Sequence, residues 1–243
     1  MIRKNRPIPG HTAKLLIFDL DGTLVDSRED LANSVNAMLR HYHKPELAHE
    51  VIASYIGNGA PMLVRRSLGD PDDENFVQDA LLYFMAWYRE HKLDNTYVYE
   101  GIRESLDAIQ QSRNGAARAL KMAVLSNKPV GPSRAIVEAL GLGQYFFQIY
   151  GGNSFHTKKP DPAGVEALLE ESGAEPRETI IIGDSDVDIL TARNAGIYSV
   201  GVNYGLAPHT LEDAPPDVLI DHPHELASVL GQREQCRLEF EAR

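Results

Sequence analysis

The chemistry of this sequence is concentrated in four aspartates: Asp19 and Asp21 in "LLIFDLDGT", and Asp184 and Asp188 in "IIIGDSDVD". Asp19 and Asp21 stand one residue apart at the end of an apolar run. Asp188 follows Asp184 by four residues, early in a helical pattern, so these two carboxylates can lie near each other. At about 4 Å and an effective dielectric near 20, each pair of like charges costs about 4 kcal/mol. A lone aspartate at a strand end is ordinarily a helix cap or a turn residue; several gathered at one place require a cation. Hard oxygen ligands in this number favour Mg²⁺ over zinc or copper. Gly22 supplies the freedom for a tight turn that lets backbone amides approach a ligand, and Thr23 is placed to orient a carboxylate. Lys159, in "KKPDP", precedes Pro160, which restricts its backbone and keeps the segment from continuing as a helix. A lysine held in this way beside a strand end is a candidate for binding an anion.

The elements that must position these groups alternate. The runs "KLLIFD" (14–19), "KMAVLS" (121–126), "TIIIGD" (179–184), "YSVGV" (198–202) and "DVLI" (217–220) read as buried strands, aliphatic on both faces as in a helix-covered parallel sheet. Between several of them lie helical patterns that stop at Gly141, Gly173 and Gly196. The expectation is an α/β fold with a doubly wound, mostly parallel, Rossmann-like sheet. Three of the strands end in Asp19, Ser126 and Asp184, and ligands of such sheets bind at the carboxyl ends of strands. One region departs from the alternation. From 27 to 97 the patterns are helical throughout: Ser27 with Asp30 resembles a capping box, Leu31, Val35, Met38, Leu39 and Tyr42 share one helical face, and Phe76, Ala80, Tyr83, Phe84, Trp87 and Tyr88 form a broad apolar stripe. The expected organisation is a core of 1–26 and 98–243 with a helical unit of 27–97 inserted after the first strand. The polar stretch 110–120 reads as a lengthened helix end or a surface loop.

Composition bounds the function. The chain has 243 residues, 43% of them hydrophobic and 24% charged, which suits a soluble protein with a sizeable core. Its formal net charge of −11 argues against an extended nucleic-acid-binding surface. The single cysteine, Cys236, can build neither an internal disulfide nor a cysteine-based zinc site. No apolar run approaches membrane-spanning length, and the basic start "MIRKNRPIPGHTAK" lacks the apolar centre of a signal peptide. A cytoplasmic protein with a loosely docked or disordered N-terminal arm is expected. The close histidine pairs His41 with His43 and His222 with His224 lack further ligands and read as surface or turn residues.

Taken together and in order, "DLDGT" (19–23), "SN" (126–127), "KP" (159–160) and "GDSDVD" (183–188) resemble the motifs of the haloacid dehalogenase superfamily, in particular its phosphatases. The resemblance implies a Rossmann-like core carrying a helical cap, which the interruption at 27–97 matches. It also implies roles for residues. Asp19 is the nucleophile that forms an aspartyl-phosphate, and Asp21 protonates the leaving oxygen and then activates water. Mg²⁺ is held by Asp19, the backbone carbonyl of Asp21, and Asp184, with Asp188 in support. Ser126, the Asn127 amide and Lys159 bind the phosphoryl group. Such a division agrees with the general character of phosphoryl transfer, which is mostly positioning and electrostatic stabilisation. The dehalogenases of the superfamily lack an acid at the position of Asp21, so dehalogenation is rejected.

Substrate choice rests on weaker signals. The segments 57–68, 126–129 and 151–162 resemble the phosphoglycolate phosphatase branch, which makes 2-phosphoglycolate the favoured substrate, although Glu100 stands where that branch often has proline. Arg65 and Arg66 are candidates for pairing with the carboxylate of a small acid, against the alternative of two arginines on a solvated helix face. The other readings are a phosphatase for a different small phosphometabolite (a sugar phosphate, nucleotide or pyrophosphate) and a phosphate-binding protein without activity. The expected partner is a small phosphorylated metabolite, with no nucleic acid and no membrane.

Overall fold

The computed structural model describes residues 2–112 and 120–230. Most of the stretch read as a lengthened helix end or surface loop, and Cys236, lie outside them. The expected strands form: β2 (Leu15–Phe18), β5 (Lys121–Leu125), β7 (Thr179–Gly183), β8 (Tyr198–Val202) and β9 (Val218–Ile220). Shorter strands join them: β1 (Arg3–Lys4), β3 (Val25–Asp26), β4 (Tyr97–Val98) and β6 (Gln148–Tyr150). Among the described residues a seven-stranded sheet runs in the order β1-β9-β8-β7-β2-β5-β6, parallel except where β1 meets β9. The N-terminal arm, expected to be loosely docked or disordered, is instead paired into the sheet. Arg3 and Lys4 pair with Leu219 and Val218, and the Arg6 guanidinium lies 4.5 Å above the Tyr198 ring and 2.9 Å from Asp217.

Alternation within each strand feeds two cores. Leu16 and Phe18 point to one face of the sheet, with Met122, Val124, Ile180, Ile182 and Val200, where α5 (Ile102–Ser112), α6 (Val130–Ala139) and α9 (Glu225–Val229) cover them. Leu15 and Ile17 point to the other, with Ala123, Leu125 and Ile181, under α7 (Ala163–Ser172) and α8 (Asp186–Ala195). Each such side chain, when fully buried, contributes about 1.5–3 kcal/mol. This two-faced demand is why the strands are aliphatic at every position. The helical patterns end as expected: Gly141, Gly173 and Gly196 all take left-handed backbone angles, at φ 66°, 68° and 67°.

From β2 the chain builds outward through β5 and β6, then crosses back to β7 on the other flank of β2 and builds outward through β8 and β9. The direction reverses at β2, and the crevice beyond its carboxyl end is where such sheets bind ligands.

Between β3 and β4 lie α1 (Arg28–His41), α2 (His49–Ala53), α3 (Ala60–Ser67) and α4 (Glu74–His91). They enclose an apolar cluster of their own, including Leu31, Val35, Met38, Leu39, Ile52, Leu63, Val64, Ala80, Phe84 and Tyr88. The chain leaves and returns through the antiparallel β3–β4 pair, where Val25 faces Val98 and Asp26 faces Tyr97. Two local expectations are corrected here. The α4 stripe splits: Phe84 and Tyr88 turn inward, whereas Tyr83 and Trp87 stack with each other and with His41 and His91 along the outside. The capping box at Ser27 is not made, because Asp30 is drawn to the returning linker. Its carboxylate accepts from the Asn95 amide and side chain, at 2.9 Å each, and from the Thr96 amide and hydroxyl, at 2.8 and 2.7 Å.

Candidate active site

The parallel register sets Phe18 level with Val124 on one side and Ile182 on the other, so β2, β5 and β7 end together. The Asp19 amide donates to the Ile182 carbonyl (2.9 Å), which holds Asp19 as the last ordered rung of β2. Beyond it the chain turns sharply. The Gly22 amide donates back to the Val25 carbonyl (2.9 Å), and Gly22 sits at φ +86°, where any other residue is strained. A second reason for glycine is visible across the turn: a Cβ at this position would lie 2.2 Å from Asp184 Oδ2.

Asp184 follows β7, and Asp188 occupies the first turn of α8, its Oδ2 accepting from the Ser185 amide (3.2 Å) and hydroxyl (2.8 Å). Asp184 Oδ2 accepts from the Leu206 and Ala207 amides at 2.7 and 3.0 Å. Asp19, Asp184 and Asp188 are all buried and bring carboxylate oxygens within 4.8 Å of one another. Lys159 reaches in from the loop before α7, its Nζ 2.9 Å from Asp19 and 2.6 Å from Asp188; the peptide bond to Pro160 is cis. Burial alone would lower the Lys159 ammonium, but Asp188 and Asp19 overcome it and hold it above its ordinary value.

Positive charge is nevertheless short. Burial pushes the Asp19 carboxyl up to about 6 against the pull of Lys159. Burial, then Asp188 and Asp19, push Asp184 up to about 8. Four aspartates meet two lysines here, Lys128 and Lys159, which leaves two negative charges over. That deficit, in an all-oxygen donor set, fits a hard divalent cation. Asp19 and Asp184 can ligate it directly. Asp188 lies close enough to do so, although Lys159 and Ser185 already occupy its oxygens.

Asp21 and Ser126 line the same cavity as Asp19. Ser126 Oγ accepts from the Lys128 amide (3.3 Å), which leaves its proton for a ligand. The Asn127 side chain donates to the Lys159 carbonyl (3.0 Å) and to the Gly57 carbonyl of the helical insertion (3.1 Å). Asn127 thereby ties the two loops beside the site together. Lys158 adds a second tie, donating to the Asn58 carbonyl at 2.7 Å.

Three sequence expectations are revised. Thr23 does not orient a carboxylate: its hydroxyl is buried without a hydrogen-bond partner. Ser27 does so instead, donating to Asp21 Oδ1 at 2.5 Å. Arg65 does not face the cavity. Its guanidinium is committed to Glu74 (2.5 Å), Asp70 (3.5 Å) and the Pro71 carbonyl (3.1 Å), because α3 turns that face toward the α3–α4 loop. Arg66 is likewise absent from the cavity wall and reaches the Tyr55 carbonyl at 3.5 Å.

The residue that sequence reasoning missed is Lys128. It is buried, 2.8 Å from each oxygen of Asp21, with its ammonium 4.7 Å above the ring of Tyr88 from α4. The signal was present: Lys128 precedes Pro129 just as Lys159 precedes Pro160.

A doubly wound sheet whose switch-point strand delivers two aspartates, with a serine, a paired lysine and a cation-poor acidic cluster around them, is the framework of a phosphatase. The sequence matches the haloacid dehalogenase-like hydrolase family over residues 16–202, and the chain belongs to that family. It is 36% identical over 223 residues to a phosphoglycolate phosphatase of Pseudomonas putida, covering 88% of this chain and 78% of that one. With a phosphoglycolate phosphatase of Haemophilus influenzae the identity is 33% over 225 residues, covering 89% and 98%. The crystal structure of a predicted phosphoglycolate phosphatase from Haemophilus somnus matches with a TM-score of 0.82 at 30% identity, over 90% of this chain and 98% of that one. Among the described residues no helix is long and apolar enough to cross a membrane.

Proposed function

We propose that this chain is a Mg²⁺-dependent phosphomonoester hydrolase that acts on 2-phosphoglycolate through an aspartyl-phosphate. The observation that carries the reading is the placement of Asp19 and Asp21 on the wall of one cavity, with Lys159 and the acidic cluster behind Asp19. Asp19 attacks phosphorus, forming an acyl-phosphate bond as the ester P–O bond breaks. Asp21 gives its proton to the departing alkoxide and then takes one from a water. That water attacks phosphorus, breaks the bond to Asp19 and releases inorganic phosphate. Ser126 holds a phosphoryl oxygen, Lys159 offsets the charge between Asp19 and the phosphoryl group from behind Asp19, and Ser27 keeps Asp21 in place. Asp19, Asp184 and the Asp21 carbonyl, with Asp188 beside them, would hold Mg²⁺, which when bound would supply charge stabilisation to the phosphoryl oxygens.

The helical insertion, 27–97, acts in this reading as a cap domain over a core of 1–26 and 98–243, its Gly57–Gly59 loop and α4 walling the cavity. The cavity is small, about 50 Å³, and a water needs about 10–15 Å³ on that measure, so a compact metabolite suits it better than a nucleotide.

The test is phosphate release from 2-phosphoglycolate and from an aryl phosphate, with and without Mg²⁺, alongside Asp19→Asn and Asp21→Asn. Asp19→Asn abolishes turnover and phosphoenzyme trapping. Asp21→Asn impairs the poor alkyl leaving group more than the aryl one and slows hydrolysis of the intermediate. Normal activity in Asp19→Asn would overturn the mechanism. A wild type with no turnover above that variant would make the chain a phosphate-binding protein, and preference for another small phosphate ester would replace the substrate.

A further inference from the structure

We propose that Lys128 and Tyr88 form a subsite for the carboxylate of the substrate, at the seam between the sheet and the helical insertion. The inference rests on the phosphatase reading of the site and deepens it, because it assigns the organic end of the substrate a chemical class and a binding partner.

The cavity is lined by residues of both the sheet's loops and the helical insertion. The phosphoryl group is served by Asp19, Ser126 and, behind them, Lys159, whose ammonium is already engaged by Asp19 and Asp188 and is absent from the wall. The side chains that the helical insertion adds to the wall are, Tyr88 apart, apolar: Leu31, Ile56, Ala60, Leu63, Phe84 and Met85. Lys128 is the one cationic side chain lining the cavity among the described residues. A second negative group on the substrate therefore has a single cation to meet. The chain's net charge of −11 makes such a local cation more necessary for a small dianionic or trianionic ester.

Tyr88 gives the independent sign of a ligand. Tyr88 is 2% exposed, it lines the cavity, and its hydroxyl makes no hydrogen bond of good geometry, the Lys128 ammonium being the polar group beside it. A buried hydroxyl is costly to leave unpaired, and the Lys128 ammonium above its ring is 4.7 Å from the centroid. A carboxylate set between them accepts from both. Lys128 has three donors on a flexible four-carbon stem, so it can turn from Asp21 toward a ligand while Ser27, at 2.5 Å, keeps Asp21 in position. Because Lys128 belongs to the loop after β5 and Tyr88 to α4, the grip exists only when sheet and insertion are apposed. Carboxylate recognition, assigned from sequence to Arg65 or Arg66, thus passes to a lysine and a tyrosine.

The test compares 2-phosphoglycolate with ethyl phosphate, which replaces the carboxylate by a methyl group. The wild type prefers the acid, and Lys128→Met lowers the ratio of the two kcat/KM values by about 10- to 100-fold, the scale of one charge-assisted hydrogen bond. Lys128→Arg retains part of the preference, and Tyr88→Phe, which keeps the ring, lowers it by about 3- to 10-fold. Equal losses on both substrates, or no preference in the wild type, overturn the subsite. If Lys128→Met does not fold, the same comparison with Tyr88→Phe decides. Calorimetric binding of both esters in an Asp19→Asn background repeats the test without turnover. There, a Lys128-dependent preference for acids together with a better substrate than 2-phosphoglycolate upholds the subsite and overturns only the named substrate.

Discussion

Gly22→Ala is the sharpest test of how the turn after β2 builds the site. Gly22 sits at φ +86°, and an alanine there pays about 1–2 kcal/mol for left-handed backbone. Its Cβ would also stand 2.2 Å from Asp184 Oδ2 and 2.6 Å from Cγ, against ordinary contact at 3.4 Å or more, so the carboxylate must retreat by about 1 Å. That oxygen accepts from the Leu206 and Ala207 amides at 2.7 and 3.0 Å. Losing one charged hydrogen bond of this kind costs about 1.5–3 kcal/mol. The sum, about 2.5–5 kcal/mol, lowers the melting temperature of a chain this size by roughly 5–20 °C. Gly69→Ala is the matched control, since Gly69 has φ +82° and a Cβ added there would meet no atom within 4 Å; it loses the backbone part alone, about 2–8 °C. Circular dichroism melts of both variants, with Mg²⁺ affinity by calorimetry, separate strain from collision. Gly22→Ala that melts with Gly69→Ala and binds Mg²⁺ as the wild type does would refute the argument that this turn and Asp184 are packed as one unit.

Two further outcomes follow from the site. Ser27→Ala removes the hydroxyl that holds Asp21, so turnover of an alkyl phosphate falls by about 10- to 100-fold and that of an aryl phosphate, whose leaving group needs less protonation, falls less; equal losses in steady-state assays would count against a positioning role. The raised carboxyls at Asp19 and Asp184 make metal binding and protonation antagonists. Because their folded values lie above the unfolded ones, the stability they contribute to the metal-free protein is complete below about pH 4 and is lost as pH rises through about 6 and about 8. Mg²⁺ takes the deprotonated forms, so its stabilising effect in thermal melts grows from pH 5.5 to pH 8.5. An effect independent of pH over that window contradicts the assignment of these carboxylates to the metal.

Legibility in the sequence followed from how local each constraint is. β2, β5, β7 and β8 were readable because a strand covered by helices on two faces must be aliphatic throughout. The stops at Gly141, Gly173 and Gly196 were readable because a left-handed residue is a property of a single position. The short strands β1, β3, β4 and β6 were not, since two or three residues give no period and owe their pairing to a partner strand already in place. Ser27 and Asp30 show the same limit at the level of side chains. Their spacing fits a helix cap, yet one is held by Asp21 and the other by Asn95 and Thr96, partners that no local rule names.

By itself the sequence determined the α/β class, the interruption by helices after the first strand, and the placing of Asp19, Ser126 and Asp184 at strand ends, because each follows from residue type and period. Only the tertiary structure decided which charges meet. Arg65 carries the right chemistry for a carboxylate but is spent on Glu74 and Asp70, whereas Lys128 is buried against Asp21 and over the ring of Tyr88 from another element. The physical reason is that an ion pair depends on distance through space, and the distance between Lys128 and Tyr88 is set by how the helical insertion lies on the sheet.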